Sequence, residues 1–357
     1  MIYAVIMAGG VGTRFWPRSR SVRPKQLLNI FGEKSMIQHT VERIQPLVTT
    51  DNIYVVTNVL QAVSLSKQLP QISSKNILVE PVGRNTAPCI GLAALHILNK
   101  DPEGVMTVLA ADHLIKPIEK FCEDISFASD IAMETDACVT LGIIPSRPET
   151  GYGYIQYLEQ GAAGNGRKAY RVKTFAEKPN VETAKQFLAS GDFLWNSGMF
   201  IWKASTILKL IEEFLPELHD GLMEIRLALD QPNYDEVVGR VYRSMKGISI
   251  DYGVMEKTKD VYVIKSQFEW NDVGSWEEVY QLSKKDSAGN ALTGNHVIID
   301  TTNSLIHSPD KIVAMVGVHD LVVVNTEDAL LICRREQAQD VKKIVDELQQ
   351  QRRNELL

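Results

Sequence analysis

Cysteine is scarce in this chain of 357 residues: Cys89, Cys122, Cys138 and Cys333 are all there is, and no two form a C-x-x-C pair. That excludes a disulfide framework and a thiolate metal site. The four lie in apolar segments and are expected as buried thiols in a reducing cytoplasm. No apolar run approaches the roughly eighteen residues of a membrane span, so no membrane partner is expected. The opening Met1-Ile2-Tyr3-Ala4-Val5-Ile6 reads as a strand and lacks the charged segment and cleavage site of a secretion signal. The net charge is only −6, which argues against broad affinity for nucleic acid. Low-complexity stretches are missing too. Apolar residues make up 45% and charged residues 23%, an ordinary globular balance, and the length suffices for two domains.

Common nucleotide and hydrolase motifs are also missing. No Gly-Lys-Ser/Thr occurs, so there is no Walker loop. The third glycine of a dinucleotide fingerprint would fall at Phe15. No nucleophile elbow is present. What stands in their place is Ala4 to Met7 running into Ala8-Gly9-Gly10, then Gly12-Thr13-Arg14. Arg14, Arg18, Arg20, Arg23 and Lys25 bring five cations within twelve residues. A strand feeding a glycine-rich turn lets backbone N–H groups approach a polyphosphate, and the cations supply charge for it.

The first part of the chain alternates strands (Tyr3–Met7, Asn52–Thr57, Asn76–Val79, Val105–Ala110) with helical patterns (Ser35–Ile44, Gln61–Gln68, Thr86–Asn99). This order predicts an α/β fold: a Rossmann-like, mostly parallel sheet flanked by helices, with ligands beyond the C-terminal strand ends. From about residue 138 strands dominate: Cys138–Ile143, Tyr154–Tyr157, Arg171–Phe175 and Gly198–Trp202. Helices return at Val181–Ala189 and Ala204–Phe214. After a polar stretch near 283–290, short β runs (Asn295–Asp300, Ser304–Ser308, Ile312–Val316, Leu321–Asn325, Ala329–Cys333) predict a small β domain of stacked rungs, left-handed β-helix-like. Val341, Ile344, Val345 and Leu348 share one face of a final helix. The domains are expected at 1–285, 286–335 and 336–357, with the last residues frayed.

Several loops could carry chemistry. Glu80-Pro81-Val82-Gly83-Arg84-Asn85-Thr86 lies between a strand and a helix. Gly83 permits a tight turn and Asn85 or Thr86 can cap the helix. A carboxylate such as Glu80 accepts two hydrogen bonds, which suits the N1–H and N2–H₂ of guanine. The residues alone leave the base open. Asp112 follows directly on a buried strand, and Asp272 lies in a tight loop between aromatics. Two hard carboxylates with phosphate oxygens and waters make a Mg²⁺ site. They are 160 residues apart, so the spacing does not show that they meet. Asp112 can also be a cap or a turn former. His113 reads as structural, because Mg²⁺ prefers oxygen.

Gly9-Gly10-Val11-Gly12-Thr13-Arg14 followed by Pro24-Lys25 resembles the signature of the sugar-1-phosphate nucleotidyltransferases, and the likeness runs from residue 1 to about 345. The Glu80 loop resembles the form found among the mannose-1-phosphate guanylyltransferases of that family, which implies guanine. The resemblance implies that Ala8, Gly9, Gly10, Gly12, Thr13, Glu80, Gly83, Asn85 and Thr86 bind GTP. It gives Arg14, Lys25, Asp112 and Asp272 catalytic roles, the two aspartates as Mg²⁺ ligands. It assigns Gly153, Glu177, Lys178, Asn196 and Asp251 to mannose 1-phosphate, Asp251 as an orienting group. At Gly253 the family usually has Ala, a small departure.

The implied reaction joins mannose 1-phosphate to the guanylyl group of GTP, giving GDP-mannose and pyrophosphate. It needs positioning and charge neutralisation more than a base. Family resemblance also implies a homodimer. Some relatives carry a further cupin domain with isomerase activity, and neither that activity nor its metal is expected here. Three alternatives remain at this point: a sister enzyme with another base or sugar, a non-catalytic nucleotide-sugar sensor, and a dinucleotide-dependent oxidoreductase, which the failed glycine pattern disfavours.

Overall fold

Tyr3, Ala4, Val5 and Ile6 are all fully buried in the strand Ile2–Met7, because helices cover both faces of the sheet built around it. A continuous apolar run without alternation is what a doubly covered strand requires. The computed structural model describes residues 1–164, 167–176 and 178–357. On one face Tyr3 and Val5 pack against the helices Thr86–Lys100, Ala204–Phe214, Pro216–Ala228 and Tyr234–Ser244. On the other, Ala4 and Ile6 pack against Met36–Ile44 and Ile118–Thr135.

Across the sheet the strands run Ile77–Glu80, Ile53–Asn58, Ile2–Met7, Val105–Ala110, Phe193–Lys203, Cys138–Ile143, Val261–Lys265, Arg167–Ala176, Tyr154–Gly164. The first four are parallel neighbours. Phe193–Lys203 then runs antiparallel to both its neighbours. Strand order reverses at Ile2–Met7, so its C-terminal end and that of Val105–Ala110 form the crevice where such sheets bind ligands. Met7 pairs with Ala110, which puts the glycine turn and Asp112 at one level. A separate two-stranded ribbon joins Leu114–Lys116 to Glu269–Asn271, with Leu114 opposite Asn271. That register brings Asp272 back to Asp112.

Local chemistry explains the helix starts. Ser35 and Gln38 close a capping box before Met36–Ile44. The Asn85 side chain accepts from the Thr86 N–H at 2.9 Å and opens Thr86–Lys100. Four helices were not among the expected elements: Ile118–Thr135, Pro216–Ala228, Tyr234–Ser244 and Trp276–Leu282. In the second, Leu218, Leu222 and Ile225 make a buried stripe at helical spacing. Gly221 masks the pattern, and it is there for close approach: a Cβ at this position would stand 2.9 Å from Met245 Cε.

Beyond residue 290, Ala291–Ile299, Leu305–Val316 and Leu321–Asn325 are parallel neighbours, and Leu330–Arg334 closes them antiparallel. Ser304–Ser308 and Ile312–Val316, expected as separate strands, are one strand with a register shift opposite Gly294. The final helix Val341–Gln350 lays Val341 and Val345 on Phe15, Trp16 and Trp276, so this part shares a core with the glycine-turn segment. All four cysteines are free; Cys89 and Cys138 are buried, while Cys122 and Cys333 are half-buried.

Candidate active site

The turn after Ile2–Met7 is held from beneath by amides. Gln26 Nε2 donates to the carbonyls of Ala8 and Gly10, both at 2.9 Å, and Gln61 Nε2 donates to Gly10 at 3.2 Å. Ala8 donates to the Val56 carbonyl. The carbonyls are therefore engaged. Among the described residues, nothing accepts from the N–H groups of Gly9, Gly10, Val11 or Gly12. A run of uncommitted N–H groups is a nest for an anion. Gly12 is left-handed at φ 68°, and a Cβ there would stand 2.5 Å from Lys25 Cβ. Only glycine allows this turn and this lysine to lie together.

Lys25 is buried, and its Nζ reaches Asp112 Oδ2 at 2.8 Å and the Asp272 carbonyl at 2.5 Å. Burial alone would raise the Asp112 carboxyl, but the charges of Lys25 and His113 outweigh it and hold it below the usual range. Tyr152 donates to Asp272 Oδ1 at 2.8 Å, its ring set edge-on against Trp195 and Trp270. Behind Asp272, Val273 sits at φ 49°, a conformation that costs a β-branched residue energy, and its N–H donates to Asn271 Oδ1. Gly12, Thr13, Arg14, Lys25, Asp112 and Asp272 line one cavity of about 260 Å³. Arg14 is exposed there and pairs with no carboxylate among the described residues.

The donor set suits a hard divalent cation. Mg²⁺ is bound through one or two carboxylates plus substrate phosphates rather than by an all-protein cage. No cluster of three or more His, Cys, Asp or Glu side chains occurs among the described residues. His113 is otherwise engaged: its Nδ1 accepts from Trp270 Nε1 at 3.1 Å, and burial lowers its pKa. Its role is structural.

Glu80 lies under the same turn, with Oε2 3.6 Å from where a Gly9 Cβ would be. It is 5% exposed, and its Oε1 has no partner among the described residues. Burial pushes its carboxyl up to about 7, a hydrogen bond with Tyr242 offsetting part of the rise. Asn85 is at φ 68°, and Thr86 Oγ1 accepts from the Ile250 N–H. Asn85 is thus tied into the backbone of its own loop, and Thr86 into that of the segment at Ile250. Gly83 is exposed, with open space around it.

Gly153, Asn196 and Asp251 form one cluster. The Asn196 N–H donates to the Gly153 carbonyl, and Asn196 Nδ2 donates to Asp251 Oδ1, both at 2.8 Å. Tyr152, next to Gly153, links this cluster to Asp272. Lys178 is exposed at φ 43°. Glu177 lies outside the described residues. The five cations of the opening segment do not stay together: Arg14 and Lys25 line the aspartate cavity, whereas Arg18, Arg20 and Arg23 line another. Tyr152, Gln26 and Gln61 were not anticipated. Their signals were slight: an aromatic between two glycines for Tyr152, and amides in polar-looking segments for the other two.

Two family models match the chain: "Nucleotidyl transferase" over residues 3–289, and "MannoseP isomerase/GMP-like beta-helix domain" over 294–348. The mannose-1-phosphate guanylyltransferase of Klebsiella pneumoniae is 42% identical over 99% of this chain and 75% of its own length. That of Escherichia coli strain K12 is 40% identical over 99% and 75%. A crystal structure described as mannose-1-phosphate geranyltransferase from Thermus thermophilus superposes with a TM-score of 0.86 at 34% identity, covering 98% of this chain and 99% of that one. The nucleotidyl transferase model, the relatives matched along almost the whole chain and the superposed structure agree, and the chain belongs to the mannose-1-phosphate guanylyltransferase family of nucleotidyl transferases.

Proposed function

We propose that this chain transfers a guanylyl group from GTP to mannose 1-phosphate, forming GDP-mannose and releasing pyrophosphate. The observation that carries the reading is Lys25 Nζ lying 2.8 Å from the Asp112 carboxylate and 2.5 Å from the Asp272 carbonyl, beneath a turn with uncommitted N–H groups. An oxygen of the sugar phosphate attacks the α-phosphorus, and the bond to the β-phosphate oxygen breaks in line. With a second phosphate pKa of about 6 the attacking group is already ionised near neutrality, so no general base is needed. The turn N–H groups, Arg14 and Lys25 hold the triphosphate and offset the charge of the departing pyrophosphate. Asp112 and Asp272 are the residues that would hold Mg²⁺, which when bound supplies neutralising charge between the two anions. Glu80 receives the guanine edge. Asn196 and Gly153 face the sugar, oriented by Asp251, while Glu177 and Lys178 contact the sugar and its phosphate.

Residues 1–285 carry this chemistry in the proposal, with 286–335 as the β domain and 336–357 as helix and tail. A homodimer in the cytoplasm completes it. Among the described residues no helix is long and apolar enough to cross a membrane. Incubation with GTP, mannose 1-phosphate and Mg²⁺, with detection of GDP-mannose, tests the reaction, and a panel of other nucleotides tests the base. D272A is expected to lose turnover while its unfolding curve stays that of a folded protein. An active D272A would sink the assignment.

A further inference from the structure

Arg18, Arg20 and Arg23 belong to the opening signature yet face away from the aspartates. They line a cavity of about 760 Å³ whose opposite wall is the β domain, including Thr293, His307 and Asn325. The three arginines are not equivalent. Arg20 is satisfied: its Nη2 donates to both oxygens of Asp328 at 3.0 Å, and Nη1 donates to the Pro17 and Ser19 carbonyls. Arg18 has only Asn29, through Nη2 to its carbonyl and Oδ1. Its Nε and Nη1 have no acceptor among the described residues, and neither Arg18 nor Arg23 pairs with a carboxylate there. Arg20 and Arg23 are fixed side by side by a reciprocal pair of backbone hydrogen bonds, each at 3.0 Å.

We propose that this cavity is a second anion site, distinct from the aspartate cavity, which takes a phosphate ester bearing hydroxyls. Arg18 and Arg23 take the phosphate. A guanidinium with free N–H groups is the side chain suited to it. The remaining lining is mixed: Asp310, Glu327 and Asp328 belong to the same cavity. Carboxylates repel a bare inorganic anion but accept hydrogen bonds from sugar hydroxyls, so an ester fits where free phosphate fits poorly. Local charge agrees. Burial and the Arg23 charge push Arg18 down to about 10, and burial with the Arg18 charge pushes His307 down to about 4. Arg18 and Arg23 thus lie close enough to repel each other, a repulsion that an anion between them relieves.

The site would also be regulatory by construction. One wall is residues 17–32, continuous with Gly12 and flanking Lys25, and the other is residues 293–328. A ligand spanning both walls tightens the β domain onto the segment that positions Lys25, so occupancy at one cavity biases the other.

The test is equilibrium dialysis of the full-length protein with three probes, namely inorganic phosphate, mannose 1-phosphate and GDP-mannose. It compares wild type with Arg23→Glu and Arg18→Ala. Arg23 is exposed and makes no side-chain pair among the described residues, so Arg23→Glu is the variant that keeps the fold if Arg18→Ala disturbs the Asn29 turn. The expected result is one ester molecule fewer bound per chain in the variants than in wild type. Phosphate alone should bind at least about tenfold more weakly than the esters, since each lost hydrogen bond to a charged partner removes on that order. Because the readout is a difference between wild type and variant, it does not depend on what fills the aspartate cavity. Equal stoichiometry in wild type and Arg23→Glu would overturn the site, and phosphate binding as tightly as the esters would overturn the class of ligand.

Discussion

Glu80 shows what a single buried carboxyl does. The unfolded chain releases its proton near 4.5, whereas burial holds the proton to about 7 in the fold. The folded state therefore binds the proton more tightly. Glu80 costs nothing below pH 4.5, costs progressively more as pH rises to about 7, and carries its full penalty above that. Glu80→Gln keeps the shape without the charge. It should match wild type in urea unfolding at pH 4.5 and exceed it by up to about 3 kcal/mol at pH 8. An equal difference at both pH values would contradict the assignment. Tyr152 is a second case at this scale. It donates to Asp272 Oδ1 at 2.8 Å, and removing one hydrogen bond to a charged partner costs about 1.5–3 kcal/mol. Tyr152→Phe keeps the ring between Trp195 and Trp270. It should lower kcat/KM by roughly ten- to a hundredfold and stability by no more than about 3 kcal/mol, as steady-state kinetics and urea unfolding would show.

At the scale of elements, the glycine turn and the ribbon Leu114–Lys116/Glu269–Asn271 are the two devices that make the cavity. The turn was readable in the sequence because its constraints are local: a buried strand, glycines, then Thr13-Arg14. Both aspartates were readable as candidates for the same reason, each following a strand or lying in a tight loop. Their meeting was not, since it depends on a ribbon register between segments some 155 residues apart. Nor was the parting of Arg18, Arg20 and Arg23 from Arg14 and Lys25, because the direction of each side chain is set by the folded loop and by Asp328 and Asn29 rather than by spacing. Pro216–Ala228 and Tyr234–Ser244 escaped notice because Gly221 and Gly239 interrupt their apolar stripes. Gly12 supplies the prediction here. Alanine in the left-handed region costs about 1–2 kcal/mol, and its Cβ would press on Lys25 Cβ at 2.5 Å. Gly12→Ala should therefore displace Lys25 and cut kcat/KM more than tenfold, on the order of the cost above converted to rate. Gly10, where a Cβ meets nothing within 4 Å, is the control. Gly10→Ala should leave thermal stability unchanged. A Gly12→Ala enzyme with normal kinetics would show that the turn does not set Lys25.

For the whole molecule, the question is whether the β domain is an appendage or part of the catalytic body. One core holds Phe15, Trp16, Leu28, Val273 and Trp276 together with Leu305, Val322, Val324, Val341 and Val345. Polar links cross the same boundary: Trp16 Nε1 donates to the Leu356 carbonyl at 3.0 Å, and Arg335 grips Glu277 with two hydrogen bonds of 2.8 Å. Trp276 Nε1 in turn donates to the Trp16 carbonyl, tying the helix after Asp272 to the signature segment. The alternation of the short β runs made a separate rung domain legible, but docking is a matter of which faces meet, and periodicity is silent on that. An apolar core shared across the boundary should unfold as one unit, so denaturation followed by tryptophan fluorescence and by circular dichroism should coincide. Removing residues 341–357 uncovers Trp16 and forfeits the burial of Val341 and Val345, about 1.5–3 kcal/mol each. The shortened chain should unfold at lower urea, and its KM for GTP should rise, because Phe15 and Trp16 lie between Arg14 and the lost helix. Two separate transitions in the full chain, or an unaltered GTP KM in the shortened one, would show that the two parts fold and act independently.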